Sequence, residues 1–210
     1  MENQKKNVRL KPIYVVMLAL TFVFIISIPV IFVIDMYGLN NKPKVYSDIQ
    51  IKRISYEQTL NKKQIFNLLN RPISVSINKY HKYFSCSKND LKFVMVAITC
   101  LETGNLKSNS IHVNNFVGMK KIKNRPSFNF KTTEYVDGEL IKCEQSFTSF
   151  YSVEDCYMNF LDLLIRKERY SEVLKAKSPK SFLVELSKAG YATDPKYFDK
   201  VYKILNDIKN

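Results

Sequence analysis

Residues 91–120 read LKFVMVAITCLETGNLKSNSIHVNNFVGMK, an apolar run that passes through a single acid, Glu102, into a polar, glycine-marked loop. Leu91, Val94, Met95, Ile98 and Leu101 recur at helical spacing, while Phe93, Val96 and Ala97 fill most of the remaining circumference. A segment apolar on nearly every side predicts a buried helix. Ser87 with Asp90 three residues on supplies its start signal, and Gly104 its stop. Glu102 then falls in the last turn, where the helix dipole and apolar surroundings both disfavour a carboxylate and raise its pKa. That environment suits a general acid near neutral pH. An acid at a helix end that simply reaches solvent is the commoner case, so this stretch alone leaves both readings open.

The loop that follows ends in Asn114, Asn115, Phe116, Val117, Gly118, Met119 and Lys120. Asparagine amides offer donors and an acceptor suited to sugar hydroxyls and acetamido groups, and Gly118 permits close backbone approach or a positive φ. A plain turn has the same composition.

Further on, KTTEYV (131–136) and ELIKCEQSF (139–147) flank Asp137-Gly138, the pattern of a hairpin with a two-residue turn. Pairing Val136 with Glu139 sets Glu134 opposite Ile141. Glu134 is thus a carboxylate on a strand, although most hairpin acids are solvated surface. Ser152 and Asp155 open a helix whose apolar face is Val153, Tyr157, Phe160, Leu161, Leu164 and Ile165. A short helical piece covers 170–176. Ser178-Pro179 starts another helix, stopped by Gly190. Asp194 as N-cap and Pro195 as first residue launch the last one, with Tyr197, Val201, Ile204, Leu205 and Ile208 apolar. Upstream, Leu60, Ile65, Leu68 and Leu69 predict an amphipathic helix over 56–69 that ends near Arg71-Pro72. Residues 73–84 fit a short strand or an irregular helix equally. The fold class is α+β, mostly helical with one small hairpin lobe.

The 210 residues carry a formal charge of +14. Residues 12–34 hold no charged side chain and suffice to span a hydrocarbon core of about 30 Å. Lys5, Lys6, Arg9 and Lys11 precede them, which predicts a transmembrane signal anchor with its N-terminus in the cytoplasm and the remainder outside. A cleaved signal peptide is the competing reading, but the run is long for one and lacks a clear small-residue cleavage site. The predicted organisation is a cytoplasmic N-terminus (1–11), the anchor (12–34), a tether (35–55) and one domain (56–210). At full extension that tether reaches about 70 Å. A basic exported surface attracts anionic wall polymers or headgroups. Export and the scattered lysines argue against nucleic acid as a partner. Cys86, Cys100, Cys143 and Cys156 form no CxxC pair, and His81 and His112 are the only histidines, so no metal site or cofactor is expected. Export permits disulfides, while Cys100 and Cys156 lie in helical apolar runs that suit buried thiols.

Taken together, LETGNLKSN…NNFVGMK, TTEYVDGE…FTSFYS and AGYATDPKYFDKV resemble, in order and spacing, the glucosaminidase family of bacterial cell-wall hydrolases, glycoside hydrolase family 73. The family includes autolysins and the flagellar-rod peptidoglycan hydrolase. The resemblance covers about residues 88–208 and implies a lysozyme-like fold, a helical body and a small β lobe with a cleft between them. It implies hydrolysis of the β-1,4 bond from N-acetylglucosamine to N-acetylmuramic acid in peptidoglycan. By resemblance Glu102 is the catalytic acid, Glu134 the second carboxylate, and Tyr191 a cleft residue that assists catalysis. Asn114, Asn115, Phe116, Gly118, Lys120 and Asp194 become substrate-binding residues by the same comparison. Two departures stand out. Asn105-Leu106-Lys107-Ser108 lacks the glycine of the family's aromatic-Gly-Lys-Ser, and Phe147-Thr148-Ser149-Phe150 lacks the arginine of its Phe-Arg-x-Tyr. A lytic transglycosylase or muramidase of the same fold is the enzymatic alternative. A catalytically silent wall-binding scaffold is the non-enzymatic one.

Overall fold

The computed structural model describes residues 47–136 and 138–210; the expected anchor and most of the expected tether lie outside them. Among the described residues no helix is long and apolar enough to cross a membrane.

Helix α1 (Asp48–Glu57) opens on a capping box between Ser47 and Gln50 and sinks Ile51 and Ser55 into the core. The segment expected as tether is therefore helical from Asp48, and the domain boundary expected at residue 56 falls inside α1. The predicted helix over 56–69 is also corrected. The chain breaks at Gln58, and Asn61 caps a new helix, α2 (Lys62–Tyr80), which runs straight through Pro72. Proline costs a helix about 3 kcal/mol in isolation. Here its neighbours Leu68, Leu69, Ile73 and Ile77 are buried, and the Ser76 hydroxyl donates to the Pro72 and Glu154 carbonyls. Packing outweighs propensity. The ambiguous segment 73–84 resolves as the end of α2 plus a 3-10 turn, His81–Tyr83.

Helix α3 (Lys88–Glu102) is the buried helix of the opening stretch, with Leu91 and every residue from Val94 to Cys100 inside. Ser87 accepts from the Asp90 amide at its start. It packs against α2 on one flank and against the last helix on another. The hairpin follows as β1 (Ser127–Val136) and β2 (Glu139–Thr148), antiparallel, with Glu134 paired to Ile141 as predicted; β1 starts four residues earlier than predicted. Helices α4 (Val153–Arg166), α5 (Ser171–Lys175), α6 (Pro179–Lys188) and α7 (Tyr197–Lys209) complete the body. Ser152 and Ser178 cap α4 and α6 as predicted. Helix α7 begins at Tyr197, two residues later than predicted. The Asp194 side chain accepts from the Lys196 amide in a tight turn, while its carbonyl receives the Tyr197 amide. Among the described residues the architecture is mostly helical with one two-stranded sheet. All four cysteines are free thiols.

Candidate active site

Glu102 is the last residue of α3, and its threonine neighbour builds the turn that follows. The Thr103 hydroxyl donates to the Thr99 carbonyl and accepts the Leu106 amide at 3.0 Å, while its carbonyl accepts the amides of Lys107 and Ser108. Gly104, Asn105 and Leu106 all take positive φ, +56°, +58° and +65°. Leu106 occupies the position of the family's missing glycine, so the left-handed backbone persists with a leucine in it. Burial of that side chain holds it there.

Glu102 keeps an edge open to solvent, yet protein surrounds its carboxyl group, and burial pushes the pKa up to about 7. The Tyr197 hydroxyl opposes that shift by hydrogen bonding, and the Glu134 charge adds to it. Tyr197 is buried, and no partner satisfies its hydroxyl in strict geometry. Its contact with Glu102 is a loose one.

Gly118 closes over the acid. A Cβ at this position would lie 2.9 Å from Cδ of Glu102, and φ is +71°. Glycine is required on both counts. The loop bearing it is held from within. Asn115 donates to the Met119 and Thr148 carbonyls at 2.8 and 3.0 Å and accepts the Met119 amide. Asn114 sits at φ +55° and donates to the Phe150 carbonyl. Phe116 is fully buried, its ring tilted against Tyr157. These three, expected to touch sugar, are buried and shape the loop: the Asn114 and Asn115 amide nitrogens are spent on backbone carbonyls, and the Phe116 ring packs in the core.

Tyr191 also faces the loop, its hydroxyl donating to the Val117 carbonyl. Its ring packs among Phe160, Tyr170 and Tyr197. Burial first, then the Glu102 charge, raises its phenol well above the ordinary value.

Glu134 is gripped from two sides. Lys120 Nζ lies 3.0 Å from Oε1, and the Thr193 hydroxyl donates to Oε2 at 2.8 Å. Burial raises its pKa, but these partners outweigh burial and the net shift is downward. The Tyr135 amide also donates to Thr193, so the hairpin is clasped to the turn before α7. Asp194 is paired with Lys200 and shapes that turn. Thus Glu102, Gly118, Tyr191 and, through Lys120 and Thr193, Glu134 converge. From sequence, no site role was given to Tyr197 or to Thr193, which lies within the AGYATDPKYFDKV motif. The former counted only as one of the apolar positions of α7, though its polar tip was the available signal. Among the described residues no His, Cys, Asp and Glu cluster suits a metal ion.

The profile of the glucosaminidase family, described as mannosyl-glycoprotein endo-beta-N-acetylglucosaminidase, matches residues 85–210. The chain belongs to the glucosaminidase family. Its relatives include the peptidoglycan hydrolase FlgJ of Pseudomonas aeruginosa, 38% identical over 79 residues, which are 37% of this chain and 20% of that protein. FlgJ of Salmonella typhimurium is 34% identical over 84 residues, 40% of this chain and 27% of that one. The chain spans less than a third of the length of these relatives. Among solved structures, a peptidoglycan hydrolase mutant from Sphingomonas sp. A1 superposes with a TM-score of 0.56 at 25% identity, over 65% of this chain and 90% of that one. The C-terminally truncated glycoside hydrolase domain of Salmonella typhimurium FlgJ gives 0.53 at 25%, over 71% and 98%. Family and fold agree.

Proposed function

We propose that this glucosaminidase-family chain is a peptidoglycan hydrolase that cuts the β-1,4 bond between N-acetylglucosamine and N-acetylmuramic acid. The observation that carries the reading is Glu102, a carboxyl whose pKa is raised to about 7 beneath the Gly118 loop. It donates a proton to the glycosidic oxygen as positive charge develops on the sugar ring. Glu134, whose pKa is lowered, stays ionised at the same pH. Two carboxyl groups pushed apart in this way divide acid and base roles. Glu134 then activates a water once glycan displaces its Thr193 and Lys120 partners. The competing route, attack by the substrate's own 2-acetamido group, leaves Glu134 dispensable and retains the anomeric configuration. Residues 12–34 anchor the enzyme in the cytoplasmic membrane and hold it outside the cytoplasm near the wall it cuts.

The test is mass spectrometry of muropeptides released from purified peptidoglycan. Reducing N-acetylglucosamine ends are expected. Anhydromuramic ends would identify a lytic transglycosylase and reject the proposed bond. Glu102→Gln is expected to abolish release, and normal release by that variant would remove Glu102 from its role.

A further inference from the structure

The described domain holds a cavity of about 570 Å³ that borders the site described above. Gly118 and Tyr191 line it, and both also adjoin Glu102. The C-terminal end of α4 and the turn after it contribute Arg166, Lys167 and Arg169, and the Gly118 loop contributes Lys121 and Lys120, the latter paired with Glu134. One acid, Asp162, lines the cavity, and it is paired with Arg166. Arg169 lies over the Tyr170 ring and bonds its hydroxyl. Lys121 and Lys167 are exposed, and neither pairs with an acid among the described residues.

We propose that this cavity receives the carboxylate-bearing stem peptide of the sugar on the leaving-group side of the scissile bond, with Lys121 and Lys167 as its charge partners. The inference rests on the bond proposed above. If that bond is cut, the oxygen protonated by Glu102 is O4 of a muramic acid. The lactyl ether that carries the peptide sits on the neighbouring O3 of the same ring. The stem therefore departs one carbon away from the protonated oxygen and crosses the surface beside Glu102. A stem peptide carries free carboxylates, and lysine ammonium groups meet them in charge-assisted hydrogen bonds. A subsite for the neutral sugar would need free amides and hydroxyls, whereas here the Asn159 amide nitrogen is spent on Asp155, the Tyr191 hydroxyl on Val117 and the Tyr170 hydroxyl on Arg169, which leaves the Lys121 and Lys167 ammonium groups.

The test compares the full chain on sacculi freed of wall polymers with glycan strands stripped of peptide by an amidase. Peptide-bearing glycan is expected to be cut about tenfold faster, the worth of one charge-assisted contact. Lys121→Ala combined with Lys167→Ala is expected to collapse that ratio towards one. Equal rates for the wild type on both substrates would overturn the proposal, as would equal losses on both in the variant. A ratio that instead follows restored anionic wall polymer would assign the cavity to that polymer. Co-sedimentation of Glu102→Gln with the two substrates repeats the comparison without turnover. Stem preference in binding with no cutting by the wild type would sink the proposed reaction and keep this site. Cutting with no preference would do the reverse.

Discussion

At Glu102 burial and the Glu134 charge raise the pKa while Tyr197 lowers it, and these opposed effects have separable consequences. The acid must be protonated to act, so activity is expected to fall as pH rises through about 7. Tyr197→Phe removes a donor that favours the charged form. Its alkaline limb is expected to move to higher pH, as read from the pH profile of kcat/KM. The sign for stability is opposite to that of a salt-bridged carboxylate. The folded state holds the Glu102 proton more tightly than the unfolded chain, so stability declines as pH rises from the ordinary carboxylate range through about 7. Glu102→Gln, which cannot ionise, is expected to melt about 3 °C or more above the wild type at pH 8. At pH 4 the two should melt together. Glu102 and Gly118 were legible because each obeys a local rule, a helix end and a positive φ. The burial of Asn114, Asn115 and Phe116 was not legible, because composition says which groups a loop carries and not which way they point.

Among the elements, the hairpin and the Gly118 loop act as one unit through Asn115. Its three buried hydrogen bonds make Asn115→Ala expected to cost about 2–4 kcal/mol in urea unfolding, since the orphaned backbone groups lose their partners. Helix starts were readable at Ser87, Ser152 and Ser178, where a serine cap precedes a sustained apolar pattern, but not at Ser47, which caps α1. The helical path through Pro72 was not, because long-range packing of α2 decides it. Nor was α1, whose short apolar pattern is fixed by the insertion of Ile51 into a core built far along the chain. The turn at Gly104–Leu106 lies between these cases. The motif predicted a turn, yet the leucine gave no sign of the left-handed backbone it adopts.

For the molecule as a whole, the described domain stands without disulfides. Burial drives the Cys86 thiol up to about 11 and those of Cys100 and Cys156 up to about 12, which keeps them as unreactive thiols. Thiol titration of the folded protein is expected to find only Cys143 reactive, and a reductant to leave the melting temperature unchanged. The α+β architecture and the single hairpin followed from periodicity and turn residues, and the ordered motifs pointed to the family. The clasp between Glu134, Lys120 and Thr193 required the fold itself, since it joins segments distant in sequence.

That clasp gives the hairpin the mechanics of a lever. Its base is pinned where Asn115 binds the end of β2 and Lys120 bridges Phe147. Nearer the tip it is held by Thr193 and one ion pair. Ten strand residues extend about 33 Å, so a tilt of about 10° at the base would sweep the tip through roughly 6 Å and Glu134 through roughly 4 Å. A fulcrum this close to Gly118 lets the second carboxylate travel the width of a sugar ring while the acid stays almost still.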